Sequence, residues 1–194
     1  MRLGREQLEH HASAEATQQA ASFRPPPPGF KPPTTEGHNI DRNPRHGFDG
    51  VITAGEFAAG SGSFVRYAKS IGIEVKWVAE KVPELEAAAA AEAGPGCQRH
   101  GDILDVHPSE VGEVFMLLGG PECQPFSKAG KQGGLQDPRA RTFFWILWCL
   151  SIRQFPSAFI ENVQSLLSMK DGAVWKLLKS VAEGIGYVVQ VSVD

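Results

Sequence analysis

From residue 51 onward, short apolar runs alternate with longer amphipathic segments, and this alternation limits the possible folds more than any other feature. Short apolar runs predict buried strands, and apolar residues at helical spacing predict helices. The predicted strands cover 51–58, 73–80, 100–104, 114–118, 157–160 and 187–193. The predicted helices cover 62–71, 83–93, 139–154 and 170–183, with helical turns near Pro108.

Repeated units of a strand followed by a helix predict an α/β fold, in which a mostly parallel sheet carries helices on both faces. Ligands of such sheets bind at the carboxyl ends of the strands. Functional residues are therefore expected immediately after the predicted strands.

Residues 1 to 48 differ in composition from the rest of the chain. Four consecutive prolines stand at 25–28 and two more at 32–33, in a segment that is otherwise mainly polar. Such a composition favours polyproline II and buries too little apolar surface to fold. The sequence therefore predicts a disordered Pro-rich leader over 1–48 and a folded domain over 49–194.

Charge, apolar runs and cysteine count exclude several classes of protein. The 194 residues include 19 basic and 22 acidic side chains. This balance argues against a polybasic nucleic-acid binder, but not against an enzyme that touches nucleic acid through a local patch. No run approaches the roughly eighteen apolar residues of a membrane span, and no secretory signal is recognisable. Three widely spaced cysteines predict neither a disulfide framework nor a metal site, and favour an intracellular location.

The first predicted strand contains Glu56 near its end and leads into a glycine-rich corner. Glycines at 60 and 62 let the backbone turn tightly against a ligand, with a helix N-terminus behind it. A dinucleotide fingerprint needs a third glycine where Val65 stands, which disfavours a nicotinamide-dependent dehydrogenase. Glu80, at the end of the second strand, is placed to bind ribose hydroxyls. Asp102, at the third, is placed to accept a hydrogen bond from an adenine amino group.

The loop GGPECQPFSKAG (119–130) follows the fourth predicted strand and carries a cysteine in its middle. Two glycines and two prolines restrict the loop, and polar neighbours flank Cys123, so its thiol is expected to face a ligand. Cys149 stands inside the apolar run FFWILWCL and is expected in the core. Cys97 is interpreted as an incidental loop thiol.

This loop closely resembles the catalytic loop of the cytosine-C5 methyltransferases. The residues after it agree with that family as well: Gly134, Asp137 and Arg139 precede an aromatic-rich helix, and the tripeptide ENV at 161–163 matches the second catalytic signature. The resemblance extends over about residues 51 to 194. It implies a Rossmann-like, S-adenosylmethionine-dependent methyltransferase fold.

The resemblance also implies that this catalytic domain is incomplete at its C-terminus. The family's Gln-x-Arg-x-Arg signature and target-recognition region do not follow the last predicted strand. A second polypeptide that supplies the missing half is one expectation, and a truncated product is the other. A catalytically inactive fragment that binds the cofactor or partners is an alternative function.

By resemblance, Cys123 is the nucleophile that adds to C6 of cytosine, which makes C5 able to attack a sulfonium methyl group. Glu161 hydrogen-bonds N3 and the exocyclic amine, relieving the charge that develops on the ring, and must keep or share a proton to do so. Asn162 positions the loop. The target base must leave the duplex stack to reach these groups.

The implied cofactor is S-adenosylmethionine. Its implied site combines the glycine corner, two strand ends and the catalytic loop, through Phe57, Ala58, Gly60, Ser61, Gly62, Glu80, Asp102, Ile103 and Pro125. Three positions depart from the family pattern. Glu56 replaces the usual Asp and Ala58 an aromatic residue, which could weaken cofactor binding. Glu122 replaces a proline or small residue, and places a negative charge beside the thiol that should slow thiolate formation.

DNA is the implied partner, contacted through Gln124, Ser127, Lys128 and Arg139. A tRNA-methylating branch shares the same core signatures, so RNA is the less favoured substrate. A nuclear location is expected if the protein is eukaryotic.

Overall fold

The computed structural model describes residues 50–127 and 133–193. Its strands are β1 (Thr53–Phe57), β2 (Glu74–Ala79), β3 (Gln98–Arg99), β4 (Met116–Gly119) and β5 (Ser157–Ile160). Its α-helices are α1 (Ser63–Ser70), α2 (Pro83–Ala93), α3 (Arg141–Arg153), α4 (Ser165–Ser168) and α5 (Ala173–Gly184). Short 3₁₀ turns cover Ile103–Asp105, Pro108–Glu110, Gly134–Gln136 and Pro138–Ala140. The predicted leader and Lys128 lie outside the described residues.

Within the described residues, the strands form one parallel sheet in the order β3-β2-β1-β4-β5. Phe57, the last residue of β1, pairs with Ala79 of β2 on one side and Gly119 of β4 on the other. The chain adds β2 and β3 on one side of β1, then crosses to add β4 and β5 on the other. The point where the strand order reverses is where parallel sheets bind ligands, so it places the site between β1 and β4.

Helices cover both faces of the sheet, as the alternating pattern predicts. Alternate residues of a strand point to opposite faces, so β1 contributes to two cores. One core lies under α1 and α2 and includes Ala54, Val65, Val78, Ala89 and Leu118. The other lies under α3 and includes Phe57, Trp77, Leu117, Trp145 and Cys149. The predicted core position of Cys149 is thereby confirmed.

A third apolar cluster lies beside the sheet and joins the loop after β4 to the C-terminal helices. Phe126 is fully buried there and packs edge-on against Phe143 of α3, with ring centroids 5.2 Å apart. Leu166 of α4 and Leu178 of α5 belong to the same cluster. A buried aromatic side chain therefore anchors the loop that carries Cys123.

The prediction of a strand over 100–104 is wrong in position. The strand pairing with β2 occurs earlier, at Gln98–Arg99, and residues 103–105 form a 3₁₀ turn. The Asp102 carboxylate accepts a hydrogen bond from the Leu104 backbone N–H at 3.0 Å and so caps that turn. Local capping by aspartate competes with strand formation, which the apolar pattern alone does not reveal.

Two further differences lie after β5. Residues 187–193 form no strand in the described part of the chain, although their apolar alternation predicts one. The predicted helix 170–183 begins three residues late, at Ala173, because Lys170, Asp171 and Gly172 have left-handed backbone angles.

In the residues described, no helix is both long enough and apolar enough to cross a bilayer.

Candidate active site at the carboxyl edge of the sheet

The glycine corner leaves the end of β1 in a left-handed conformation. Gly60 and Gly62 have φ angles of 50° and 82°, which glycine adopts without steric penalty, and Ala58 has a φ of 51°. The Gly60 N–H donates to Glu80 Oε2 at 3.0 Å, and the Ala59 N–H donates to the Ala79 carbonyl at 3.2 Å. The corner is therefore tied to the end of β2.

Carboxylates line the adjoining strand ends. The second oxygen of Glu80 accepts from the Val82 N–H at 3.0 Å. Glu86 of α2 is buried and holds the next loop, because its Oε1 accepts from the Gly101 N–H at 2.5 Å and its Oε2 from Arg99 Nε at 3.1 Å. These contacts hold Glu80, the residue predicted to bind ribose, and the segment before Asp102, the residue predicted to bind adenine. A carboxylate has lone pairs beyond those used here, so the edge presents hydrogen-bond acceptors to a ligand.

Glu56 lies beneath the corner and is fully buried. Neither of its carboxyl oxygens has a hydrogen-bond partner of normal geometry among the described residues. Burial raises the pKa of Glu56 to about 8, and the backbone N–H of Val65 in α1 offsets only part of that rise. A group at this position is therefore mostly neutral at pH 7.

The loop after β4 presents Cys123 at the surface. Its backbone folds into one tight turn, because the N–H groups of Phe126 and Ser127 both donate to the Cys123 carbonyl at 2.9 Å. Pro125 is buried behind the turn, and its carbonyl accepts from the Gly134 N–H at 3.0 Å. The thiol-bearing residue thus stands on a braced turn with its side chain accessible.

The second predicted signature meets this loop where β5 ends. The Glu161 N–H donates to the Gly119 carbonyl at 3.0 Å. Asn162 Nδ2 donates to the Pro121 carbonyl at 2.8 Å. A Cβ atom added to Gly120 would lie 3.0 Å from Glu161 Oε2, so only glycine gives that carboxylate its full space. Two segments about forty residues apart in the sequence therefore form one site.

Two other contacts hold the loop. Ser165 Oγ donates to the Phe126 carbonyl at 2.7 Å; sequence reasoning missed this residue, and no local pattern marks it. Arg139, predicted to contact nucleic acid, is paired with Asp137 through Nε–Oδ1 at 2.9 Å and Nη2–Oδ2 at 2.7 Å. Its Nη1 donates to Gln124 Oε1. In this structure Arg139 holds the residue next to Cys123.

The remaining predicted residues lie at the same edge. Phe57 is buried at the end of β1, Ser61 is exposed on the corner, and Ile103 is buried beyond β2. Ser127 is partly exposed. Within 50–127 and 133–193, no group of His, Cys, Asp or Glu side chains is arranged to hold a metal ion.

A parallel sheet with a glycine corner after β1 and helices on both faces is a Rossmann-like fold, as expected for an S-adenosylmethionine-dependent methyltransferase. A solved structure shares it: a protein described as a DNA modification methyltransferase encoded within a prophage of E. coli superposes with a TM-score of 0.53. The match covers 69% of this chain and 38% of that chain at 18% identity, which shows the fold alone.

The sequence comparisons identify the family. The family model for C-5 cytosine-specific DNA methylases matches residues 52–193, and the chain belongs to that family. It is 35% identical over 102 residues to the type II methyltransferase M.NgoBI of Neisseria gonorrhoeae. It is 36% identical over 98 residues to M.HaeII of Haemophilus aegyptius. These matches cover 53% and 50% of this chain, and 32% and 31% of the relatives, so the chain aligns with about a third of their length.

Proposed function

We propose that this chain carries the catalytic centre for methyl transfer from S-adenosylmethionine to C5 of cytosine in DNA, through a covalent bond between Cys123 and C6. The observation that carries the proposal is the convergence of Cys123, Glu161 and Asn162 at one edge of the sheet, beside the glycine corner. Family membership and the relatives named as type II methyltransferases support the same reaction.

The residues of the loop account for the first half of the reaction. The Cys123 thiolate forms a bond to C6, and the electron pair of the C5–C6 double bond becomes available at C5. Glu161 hydrogen-bonds the edge of the ring that accumulates charge, as preorganised groups do in other enzymes. Asn162 Nδ2 donates to the Pro121 carbonyl and so ties the loop to the end of β5.

The second half releases the product. When bound, S-adenosylmethionine would supply an electrophilic methyl group: the electron pair at C5 would form the C5–CH3 bond as the S–CH3 bond breaks and the sulfur leaves as a neutral thioether. Loss of the C5 proton to water or hydroxide then re-forms the C5–C6 double bond and expels the Cys123 thiolate. Every bond made at C6 is broken again, so the enzyme returns to its starting state.

The residues present fit this cofactor. Its ribose hydroxyls and adenine amine are hydrogen-bond donors, and Glu80 and Asp102 provide acceptors at neighbouring strand ends. A Cβ atom added to Gly60 would meet nothing within 4 Å, so the corner leaves open space beside it. Acceptors beside an open glycine corner suit a nucleoside better than an anion.

The test is to trap the covalent intermediate. The full chain is incubated with S-adenosylmethionine and duplex DNA that contains 5-fluorocytosine. Fluorine at C5 cannot leave as a proton does, so a working enzyme stays attached to the DNA and the adduct survives denaturing electrophoresis. We expect an adduct with the native chain and none with Cys123→Ser. Cys97→Ser, which removes a half-buried thiol away from the loop, is the matched control and should react normally.

A parallel reaction with tRNA that contains 5-fluorocytosine decides the substrate class. An adduct on tRNA alone would overturn DNA as the substrate. No adduct on either nucleic acid, from a sample whose circular dichroism shows a folded chain, would overturn catalysis by this chain on its own. The inactive-fragment interpretation would then be the better one.

A further inference from the structure

An ion pair joins the cofactor side of the site to the catalytic loop. Lys81 follows Glu80 at the end of β2, and Glu122 precedes Cys123 in the loop after β4. Their side chains meet with Lys81 Nζ 2.6 Å from Glu122 Oε1. Because β1 lies between β2 and β4 in the sheet, the pair bridges two strand spacings, about 10 Å, at the edge where β1 turns into the glycine corner.

Cys123 is consequently flanked by two tethers that run to different parts of the site. On one side, Glu122 is held by Lys81 from the end of β2. On the other, Gln124 is held by Arg139, which Asp137 fixes in turn. The second tether acts through the neutral amide of Gln124, whereas the first consists of a carboxylate, on the residue before Cys123, and its counter-charge.

On the basis of the proposed function, we propose that Lys81 is a positioning residue for Cys123. By pairing with Glu122 it neutralises the negative charge on the residue before the nucleophile and holds the loop against the end of β2. An unpaired carboxylate next to a thiol disfavours the thiolate, and an adjacent ammonium group cancels that effect. The acidic residue that stands next to Cys123 is therefore tolerated because its charge is compensated from β2.

The charges around the pair agree with this role. Hydrogen bonding to Glu122 raises the pKa of Lys81 above its usual value, with smaller contributions in the same direction from Asp102 and Glu80. Lys81 thus stands in a cluster of acidic groups and stays protonated at neutral pH. Because the pair is partly exposed, added salt should weaken it.

Alkylation of Cys123 tests the proposal without DNA or cofactor. The full chain reacts with iodoacetamide at pH 7.5 in low salt, and the labelled peptide is quantified by mass spectrometry. Burial raises the pKa values of Cys97 and Cys149, so they react slowly. We expect Lys81→Met to slow labelling of Cys123 roughly three- to tenfold, the effect of one uncompensated charge nearby. High salt should shrink that difference.

The double variant Lys81→Met/Glu122→Gln separates charge from packing. It lacks both charges, so labelling should return to the native rate, and the charge-reversed pair Lys81→Glu/Glu122→Lys should also recover much of it. Lys76→Met removes the lysine of a comparable exposed pair with Glu74 at the start of β2, and should change nothing. Equal labelling of Lys81→Met and the native chain would overturn the proposal, as would a double variant as slow as the single one.

The trapping reaction keeps this proposal distinct from the proposed function. Lys81→Met should form the 5-fluorocytosine adduct more slowly than the native chain, with recovery in the double variant. If the native chain forms no adduct while the labelling rates follow the expected order, the proposed function fails and the charge compensation stands. If the adduct forms equally fast in the native chain and in Lys81→Met, the positioning role fails and the proposed function stands.

Discussion

On the β2–β3 side of β1, carboxylate side chains accept hydrogen bonds from backbone N–H groups, whereas on the β4–β5 side, side-chain donors bond to backbone carbonyls. Glu80 and Glu86 bind the N–H groups of Gly60 and Gly101. Across the sheet, Asn162 and Ser165 donate to carbonyls of the loop that carries Cys123. These two sets of contacts therefore run in opposite directions, from backbone to side chain beside β2 and from side chain to backbone beside β4.

We call the β2–β3 side, with Glu80 and Asp102, the cofactor half, and the β4–β5 side, with Cys123 and Glu161, the catalytic half. The difference matches what each half is proposed to bind. Carboxylates that hold the cofactor half also leave acceptor oxygens, which suit the hydroxyl and amino groups of a nucleoside. The Asn162 amide and the Ser165 hydroxyl are neutral, so these two contacts hold the loop without adding charge. The charged groups beside Cys123 come from two ion pairs, Glu122 with Lys81 and, through Gln124, Arg139 with Asp137.

The largest effect is expected from Glu161→Gln, in the catalytic half. Losing the carboxyl group next to Gly120 should slow adduct formation by about 10²–10³-fold, the usual loss for a preorganised electrostatic group. Affinity for S-adenosylmethionine, measured by titration calorimetry, should stay within about twofold, because the cofactor half is untouched. Glu183→Gln, an exposed acid on α5, is the control. Equal losses in both properties would mean that the two halves do not act separately.

The second expected effect is a pH dependence of the free energy of unfolding, caused by Glu56. Its pKa of about 8 lies above the ordinary value of 4.5, so the native state holds a proton that the unfolded chain releases. This stabilisation is complete below pH 4.5 and is lost as pH rises to 8, at up to about 1.4 kcal/mol per pH unit. Glu56→Gln should flatten that slope in urea unfolding curves, and the exposed Glu74→Gln should not. Parallel curves for the native chain and Glu56→Gln would contradict the assignment.

Glu86→Gln should lower the free energy of unfolding by about 2 kcal/mol. An amide has only one oxygen, so it cannot accept hydrogen bonds from Arg99 and from the Gly101 N–H through two separate oxygens as the carboxylate does. Cofactor affinity should fall as well, since the Gly101–Asp102 segment loses its support. Thermal unfolding with and without S-adenosylmethionine measures both effects. Glu84→Gln, exposed on the same helix, provides the comparison. If Glu86→Gln loses stability but binds the cofactor with native affinity, the contacts of Glu86 do not support the cofactor site.

The smallest change is expected from Asn162→Ala. Loss of the bond to the Pro121 carbonyl should reduce the unfolding free energy by about 1 kcal/mol. Adduct formation should slow while cofactor affinity is retained, which is the pattern of a loop displaced on one half only. Gln164→Ala, an exposed neighbour whose side chain caps no helix, should behave as the native chain does. Unchanged adduct formation in Asn162→Ala would remove Asn162 from the positioning of the loop.

Most of the fold could be predicted because its signals are local. Apolar runs of strand length locate β1, β2, β4 and β5, and β5 has the predicted bounds. The predictions fail where a local side-chain contact outweighs the apolar pattern, or where a segment with a strand's alternation finds no partner in the described sheet. Asp102 caps a 3₁₀ turn where a strand is predicted, and residues 187–193 have the alternation of a strand without pairing into the described sheet.

The sequence by itself determined the fold class, the loop that carries Cys123 and the second signature at Glu161, because each depends on the order and spacing of residues along the chain. Only the tertiary structure decided which loops meet. The pairing of Lys81 with Glu122, and the holding of Arg139 between Asp137 and Gln124, depend on strand register and side-chain conformation. Those are set by the packing of the whole sheet, so no local pattern in the sequence encodes them.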